Sequence, residues 1–136
     1  DLLENAGKFD STLVRSEDWY LTLSMATLSG LVYVPTTVLR FRRGYGSLTE
    51  SPGVGELDSL RATWRAMTEW RFRCVRRVLR WTLIAQATQL RDSHFAQHRR
   101  RRAFRFGLLA AILAPENPKY LFEALDCMTG RLPQRD

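Results

Sequence analysis

The sequence predicts an α/β segment over residues 1–50, followed by an extension built from helices. Three observations support this division. An acidic pair at Glu17 opens an apolar helix, two β-rich runs follow it before residue 43, and after residue 55 apolar residues recur at spacings of three and four. A turn, a helix that starts with carboxylates, short strands and a basic Gly-rich turn are typical of the edge of an active site on an α/β scaffold.

The first predicted helix begins after Ser16 and ends at Gly30. Ser16 has the side chain of an N-cap residue, and Glu17 and Asp18 then fall in the first turn, where the positive end of the helix dipole favours carboxylates. We therefore expect both carboxylates to stay ionised at neutral pH, which suits a general base better than a general acid. Ahead of the helix, Phe9 follows a turn that a glycine allows, and it is expected to fill a core.

Two β-rich runs, residues 31–35 and 37–42, are predicted to form short strands after this helix. The second run ends at Arg42 and Arg43 and leads into the glycine-rich turn 44–47. Cations beside flexible backbone amides are typical of a phosphate-binding site. The spacing alone also fits a second interpretation, an ordinary capped helix followed by a solvated hairpin.

Five short motifs occur in a fixed order along residues 2–49, namely A-G-K-F-D, E-D-W, L-V-Y-V-P, V-L-R-F-R-R and G-S-L-T. This series resembles the second half of the catalytic domain of family 2 glycosyltransferases, which are inverting enzymes of the GT-A fold. That family commonly has a G-x-F-D turn, an E-D pair, a V-x-x-P strand and a Y-R-x-H-x-x-S stretch. The resemblance implies a partial GT-A-like segment from an enzyme that transfers a sugar from a nucleotide-sugar donor to a hydroxyl acceptor with inversion.

The resemblance also implies roles for individual residues. Asp18 matches the general base that takes the proton from the acceptor hydroxyl, and Glu17 matches the neighbouring carboxylate that orients the acceptor or the base. Arg42 and Arg43 match the basic strand end near the donor diphosphate, and Ser47 belongs to the flexible turn over that site. The substrate-binding residues implied in this way are Trp19, Arg42, Arg43 and Ser47.

Three positions depart from the family pattern. Tyr20 stands where many members have Asp, Ser24 where they often have Arg, and Gly44 where a histidine usually precedes the Gly-Ser turn. These departures affect the acceptor contacts and the metal side of the site that the resemblance implies. They leave open a second interpretation, in which the chain is a non-catalytic remnant of a transferase.

The nucleotide-binding half of such enzymes carries an Asp-x-Asp metal motif, and this sequence contains no Asp-x-Asp. The chain also begins at Asp1, in the middle of the motif series. We therefore expect a C-terminal fragment of a longer enzyme that is inactive alone. A divalent metal, Mg or Mn, is expected only together with the missing N-terminal half, and none is expected to bind to this chain alone.

The remaining sequence predicts a helical extension. Residues 51–58 are predicted to be a linker because a proline and two glycines interrupt any periodic pattern, and residues 59–130 are predicted to form the basic helical extension, with a tail over 131–136. Within this region we expect one helix over 56–90, a second over 93–113 that stops at the prolines 115 and 118, and a third over 119–128 that ends at Gly130.

The net charge is +7, and 13 of the 19 arginines lie between Arg61 and Arg105. Trp64, Trp70, Phe72 and Trp81 are interleaved with these arginines, which is typical of a helix at an anionic membrane surface. The other interpretation is an amphipathic packing helix whose arginines are simply solvated. Binding to nucleic acid is disfavoured, since the sequence has no helix-turn-helix, zinc or RNA-binding signature and such binding would leave the acidic pair unexplained.

Cys74 and Cys127 lack any ligand spacing, so we expect buried or half-buried free thiols in a reducing compartment. A cytoplasmic location follows, with a peripheral position on the inner face of the membrane as an alternative. The longest apolar run, residues 106–114, is too short to cross a bilayer. His94 and His98 would share a helix face, but the arginines beside them repel a cation, and no further ligands are near.

Overall fold

The structure, a computed structural model, describes residues 1–13, 16–30, 32, 35–36 and 54–130. These residues form α-helices and one 3-10 helix, Trp70–Val75. The α-helices are α1 (Leu2–Asn5), α2 (Glu17–Ser29), α3 (Val54–Thr68), α4 (Arg76–Ala96), α5 (Arg100–Leu113) and α6 (Lys119–Thr129).

The predicted α/β fold is wrong, because the described residues are helical and include no β-strand. Val32 and Pro35, the described members of the first predicted strand, lie outside any strand, and the second, 37–42, lies outside the described residues. The side chain of Val32 is 88% exposed. β-branched residues favour strands when they can pack on a pleated, half-buried surface, and Val32 has no such surface.

The predicted boundaries of α2 are correct. The helix starts at Glu17, directly after Ser16, and Gly30 follows its last turn with φ +76°. The amide of Gly30 donates to the carbonyl of Ala26 at 3.0 Å. A positive φ is easily reached by glycine because it has no Cβ, which explains why the helix stops here.

The long helix predicted over residues 56–90 is divided into three parts. α3 begins at Val54, inside the stretch predicted as a linker, and ends at Thr68. Glu69 then has an extended backbone, with φ −77° and ψ +137°, and the 3-10 helix follows. Phe72 is fully buried in this short helix. The apolar spacing did not reveal the break, because a 3-10 turn repeats every three residues and preserves an approximate helical period.

The second predicted helix, 93–113, is also divided. α4 continues to Ala96 and α5 starts at Arg100, with a tight turn between them in which His98 has φ +57°. The amide of Arg99 bonds back to the carbonyl of His94 at 2.9 Å. The third predicted helix is confirmed, since α6 ends at Thr129 and Gly130 caps it with φ +82°.

Buried side chains form two apolar clusters. The first joins α2, α3, the 3-10 helix and the start of α4, and the second joins α4 to α5. Met67 of α3 packs against both clusters and so connects them. The first contains Leu13, Tyr20, Ala62, Ala66, Phe72 and Leu79, and the second contains Leu83, Ile84, Ala87, Ala110, Leu113 and Ala114.

α5 and α6 pack closely at Gly107. A Cβ added to this glycine would lie 2.8 Å from the Cβ of Ala124, so only a residue without a side chain fits. Beside this contact, the buried guanidinium of Arg91 on α4 pairs with the carboxylates of Asp92 and of Glu123 on α6. Within the described ranges, no helix has both the length and the apolar composition needed to span a bilayer.

Candidate active site

The acidic pair lies in the first turn of α2. The side chain of Asp18 is exposed, and its Oδ1 accepts a hydrogen bond from the amide of Trp19 at 2.7 Å. The Trp19 side chain is 38% exposed. Glu17, Asp18 and Trp19 therefore lie together at the positive end of a 13-residue helix, where the dipole stabilises negative charge.

Ser16 occupies the N-cap position, but its side chain does not cap the helix. Its φ is +69°, and its hydroxyl lies 2.8 Å from the hydroxyl of Ser59 on α3. The sequence correctly predicts the position of Ser16 and incorrectly predicts its hydrogen bond. This contact ties the start of α2 to α3, and no sequence signal connects two serines 43 residues apart.

Glu17 and Asp18 have different surroundings. Glu17 is half-buried, and its Oε2 is shielded from solvent with no hydrogen-bond partner among the described residues. Glu56 and the buried Asp58 of α3 each also have one carboxylate oxygen that is shielded from solvent and has no hydrogen-bond partner among the described residues. A buried carboxylate oxygen without a donor costs free energy. Asp18 is open to an approaching solute.

The turn before α2 has a structural role. Gly7 and Lys8 have φ values of +94° and +57°, and Asp10 accepts hydrogen bonds from the amide and hydroxyl of Thr12 at 2.9 and 2.7 Å. These hydrogen bonds, with the nearby charge of Arg65, lower the pKa of Asp10. Phe9 is 61% exposed, which corrects the expectation that it fills a core.

Tyr20 and Ser24, two of the departures from the family pattern, are buried residues of α2. The hydroxyl of Tyr20 donates to Glu69 and accepts from Arg71, and the Tyr20 ring meets Phe72 edge-on at 5.9 Å between centroids. The Ser24 hydroxyl donates to the carbonyl of Tyr20 at 2.9 Å. Tyr20 therefore serves the packing of α2 on the 3-10 helix, and the Ser24 hydroxyl is satisfied within α2.

The remaining predicted site residues, Arg42, Arg43 and Ser47, lie outside the described residues, as does Gly44. The structure thus describes three of the predicted site residues, Glu17, Asp18 and Trp19, and brings them together on one helical turn.

The two histidines do not share a helix face. His94 is buried in α4 and stacks on Phe106 with 5.4 Å between ring centroids, whereas His98 is exposed in the turn after α4. Burial lowers the pKa of His94, and the charges of Arg102 and Arg99 lower it further against the opposing effect of Glu56. Within the described part of the chain, no group of three potential ligands is arranged to hold a metal ion.

Both cysteines are free thiols, but only one is buried. Cys127 is buried under α5, and burial raises the pKa of its thiol. Cys74 is exposed in the 3-10 helix, where the sequence had predicted a buried or half-buried residue.

Comparison with known proteins gave no match to any family model, curated protein or solved structure.

Proposed function

We propose that this chain supplies the acceptor-side carboxylates of an enzyme that transfers a sugar from a nucleotide-sugar donor to a hydroxyl acceptor with inversion. The observation that carries the proposal is the Glu17-Asp18 pair at the start of α2, preceded by the Gly7–Asp10 turn in the order that the family motifs have. The proposal concerns the chemistry of this turn.

Asp18 acts as the general base in this proposal. Its carboxylate takes the proton of the acceptor hydroxyl while the hydroxyl oxygen forms a bond to the anomeric carbon. The bond from that carbon to the donor diphosphate breaks, and the nucleoside diphosphate leaves with the electron pair. Exposure of Asp18 allows the acceptor to approach, and the helix dipole favours the charged carboxylate that a base requires.

Glu17 and Trp19 assist this step. Glu17 places a second carboxylate beside Asp18 in the same helical turn, and it is proposed to orient the acceptor or the base. The partly exposed ring of Trp19 offers an apolar surface to the face of a sugar ring. Arg42, Arg43 and Ser47 are proposed to bind the donor diphosphate.

The divalent metal, Mg or Mn, is proposed to bind outside this chain, because the sequence contains no Asp-x-Asp motif. When bound, the metal would neutralise charge on the donor diphosphate. We further propose a cytoplasmic location, in which the thiols of Cys74 and Cys127 stay reduced.

The test replaces Asp18 with Asn in the full-length protein. We expect the release of nucleoside diphosphate from a panel of UDP-, GDP- and dTDP-sugars to fall by on the order of 10²–10⁴-fold, because proton transfer by a positioned base contributes about this much. Donor binding, measured by calorimetry, should change little. Asp126→Asn on α6 is the matched control and should retain full turnover.

Two results would contradict the proposal in different ways. Turnover that survives Asp18→Asn would remove Asp18 from the role of base. Donor binding without turnover in the unaltered protein would instead favour the non-catalytic remnant. In that interpretation the hydroxyls of Tyr20 and Ser24 serve only the hydrogen bonds that they make in the fold.

A further inference from the structure

The outer face of α6 is apolar and uncovered by any described residue. Leu121, Phe122, Leu125 and Met128 are 44%, 63%, 49% and 51% exposed. Ala124 and Cys127 are the buried residues of the same helix. Four large apolar side chains on eight consecutive residues are more than a solvated helix needs.

α5 continues this surface. Its buried residues Ala103, Gly107 and Ala110 face inward. Arg101, Arg105, Leu108 and Ile112 recur at intervals of four, three and four, so they share the opposite face of the helix, and Ile112 is 67% exposed. Because Gly107 lets α5 and α6 approach without intervening side chains, their outer faces lie side by side. We call the residues Arg101, Arg105, Leu108, Ile112, Leu121, Leu125 and Met128 the α5–α6 surface.

One end of this surface is strongly basic. Arg99 to Arg102 and Arg105 make no ion pair with any described carboxylate, although they lie at the start of a helix whose dipole is also positive there. Arg100 reaches the end of α6, since a Cβ on Gly130 would lie 2.7 Å from its guanidinium. Of the nearby acids, Glu123 pairs with Arg91 and Glu116 pairs with Arg80.

We propose that the α5–α6 surface docks on a membrane that contains anionic lipids. The leucines, the isoleucine and the methionine would enter the boundary between headgroups and acyl chains, while Arg101 and Arg105 extend their apolar stems along it and reach lipid phosphates. Cations that make no ion pair with a described carboxylate, next to an apolar helical face, match the chemistry of such a membrane, which supplies both the negative charge and the apolar phase.

Two other occupants fit these residues less well. A second copy of the chain would bury the apolar face but would bring further arginines to it, with the nearby acidic residues Glu116 and Glu123 already paired. A nucleic acid would satisfy the arginines and leave the Leu121 to Met128 face in water. The surface also differs from the tryptophan-rich stretch expected from the sequence, because Phe72 is fully buried there and Trp81 lies on the side of α4 away from its buried residues.

The test is co-sedimentation of the full-length protein with vesicles of phosphatidylcholine alone and of phosphatidylcholine mixed with phosphatidylglycerol. We expect binding to the anionic vesicles, weakening as salt is added, and little binding to the neutral ones. Leu121→Gln combined with Leu125→Gln should reduce binding roughly tenfold, since two partly exposed leucines would lose their transfer to the apolar phase. Arg101→Gln combined with Arg105→Gln should reduce it by at least as much.

Matched controls lie on α4. Val78→Gln removes an exposed apolar side chain, and Arg76→Gln with Arg77→Gln removes two exposed arginines, so both variants should bind as the unaltered protein does. The proposal is overturned if the anionic vesicles do not bind, or if the α4 variants lose as much as the α5–α6 variants. It is equally overturned if sedimentation equilibrium detects a dimer that Leu125→Gln dissociates. The same holds if duplex DNA competes the protein off the anionic vesicles and the variant with Leu121→Gln and Leu125→Gln binds those vesicles as the unaltered protein does.

Discussion

The guanidinium of Arg71 donates a hydrogen bond to the hydroxyl of Tyr20 across 2.9 Å, and the same hydroxyl donates to Glu69. Burial raises the pKa of Tyr20, the bond to Glu69 adds to this effect, and Arg71 opposes it. The three residues hold α2 against the 3-10 helix, directly after the turn that contains Asp18. The orientation of the acidic pair therefore depends on a contact that the sequence pattern of the family does not contain.

Replacing Tyr20 with Phe should destabilise the fold by about 1–2 kcal/mol, because Glu69 and Arg71 lose a shared partner in a partly buried setting. Urea unfolding followed by circular dichroism measures this change. Tyr120→Phe is the matched control, since that hydroxyl makes no hydrogen bond to a described residue, and it should leave the midpoint unchanged. Equal midpoints for both variants would show that the Tyr20 hydroxyl contributes nothing.

Gly107→Ala should destabilise the protein by about 1–3 kcal/mol, although alanine is the better helix former. The added Cβ would lie 2.8 Å from the Cβ of Ala124 and 2.9 Å from its Cα, so α5 and α6 must move apart. Thermal unfolding of the single variant and of Gly107→Ala with Ala124→Gly checks this. The double variant should recover part of the lost stability, because Ala124→Gly removes the Cβ that the new alanine would meet. If the double variant loses as much stability as the two single variants together, the steric explanation is disproved.

Glu123→Gln should cost about 3 kcal/mol, because Arg91 is only 3% exposed and would lose one of its two carboxylate partners inside the protein. Chemical unfolding measures the free energy. Glu116→Gln removes the acidic partner of Arg80 at the surface, where the carboxylate is 54% exposed, and it should cause a much smaller shift of the midpoint. Comparable losses in the two variants would mean that burial does not strengthen the Arg91 pair.

His94 should make the fold less stable in mild acid. Its pKa in the folded protein is lowered from 6.5, chiefly by burial and then by Arg102 and Arg99, so the unfolded chain binds the proton more readily. Its contribution to stability is fully present above the unfolded pKa and is lost as the pH falls from there through the folded pKa. Unfolding free energies in urea at roughly pH 7.5 and pH 5.5 measure this loss.

His94→Gln should reduce that pH dependence, apart from a constant loss due to the missing stacking on Phe106. His98→Gln is the control, because His98 is exposed, and it should leave the pH dependence as it is. If the difference between His94→Gln and the unaltered protein is the same at both pH values, protonation of His94 is not the cause.

The sequence predicts helices better than it predicts where they stop. Gly30 and Gly130 mark two ends correctly, since a positive φ is a local requirement that a single residue meets. The breaks near Glu69 and His98 are not visible in the sequence, because neither residue is a strong helix breaker. The strand expected around Val32 failed for a related reason, since strand propensity depends on a surface to pack against.

For the candidate site, the sequence predicts the position of Glu17 and Asp18 at the start of α2, which depends only on local helix chemistry. It does not predict that Glu17 is half-buried while Asp18 is exposed, nor that Ser16 contacts Ser59. Those properties arise from α3, which is distant in the chain. The sequence indicates only that Tyr20 and Ser24 replace functional residues of the family. Their burial depends on the packing of α2 against other helices, which the sequence does not show.

Met67 packs against both apolar clusters, and the buried residues of the second cluster come from α4 and α5 and the residue after α5, which are adjacent in the chain. Chains whose contacts are mostly local fold rapidly, because little loop-closure entropy is lost before the contacts form. The α4–α6 half is thus expected to assemble quickly on its own contacts, and the half that carries Asp18 to join it through α3. Substitutions on the outer faces of α5 and α6 and substitutions around the acidic turn should consequently have additive effects on the free energy of unfolding.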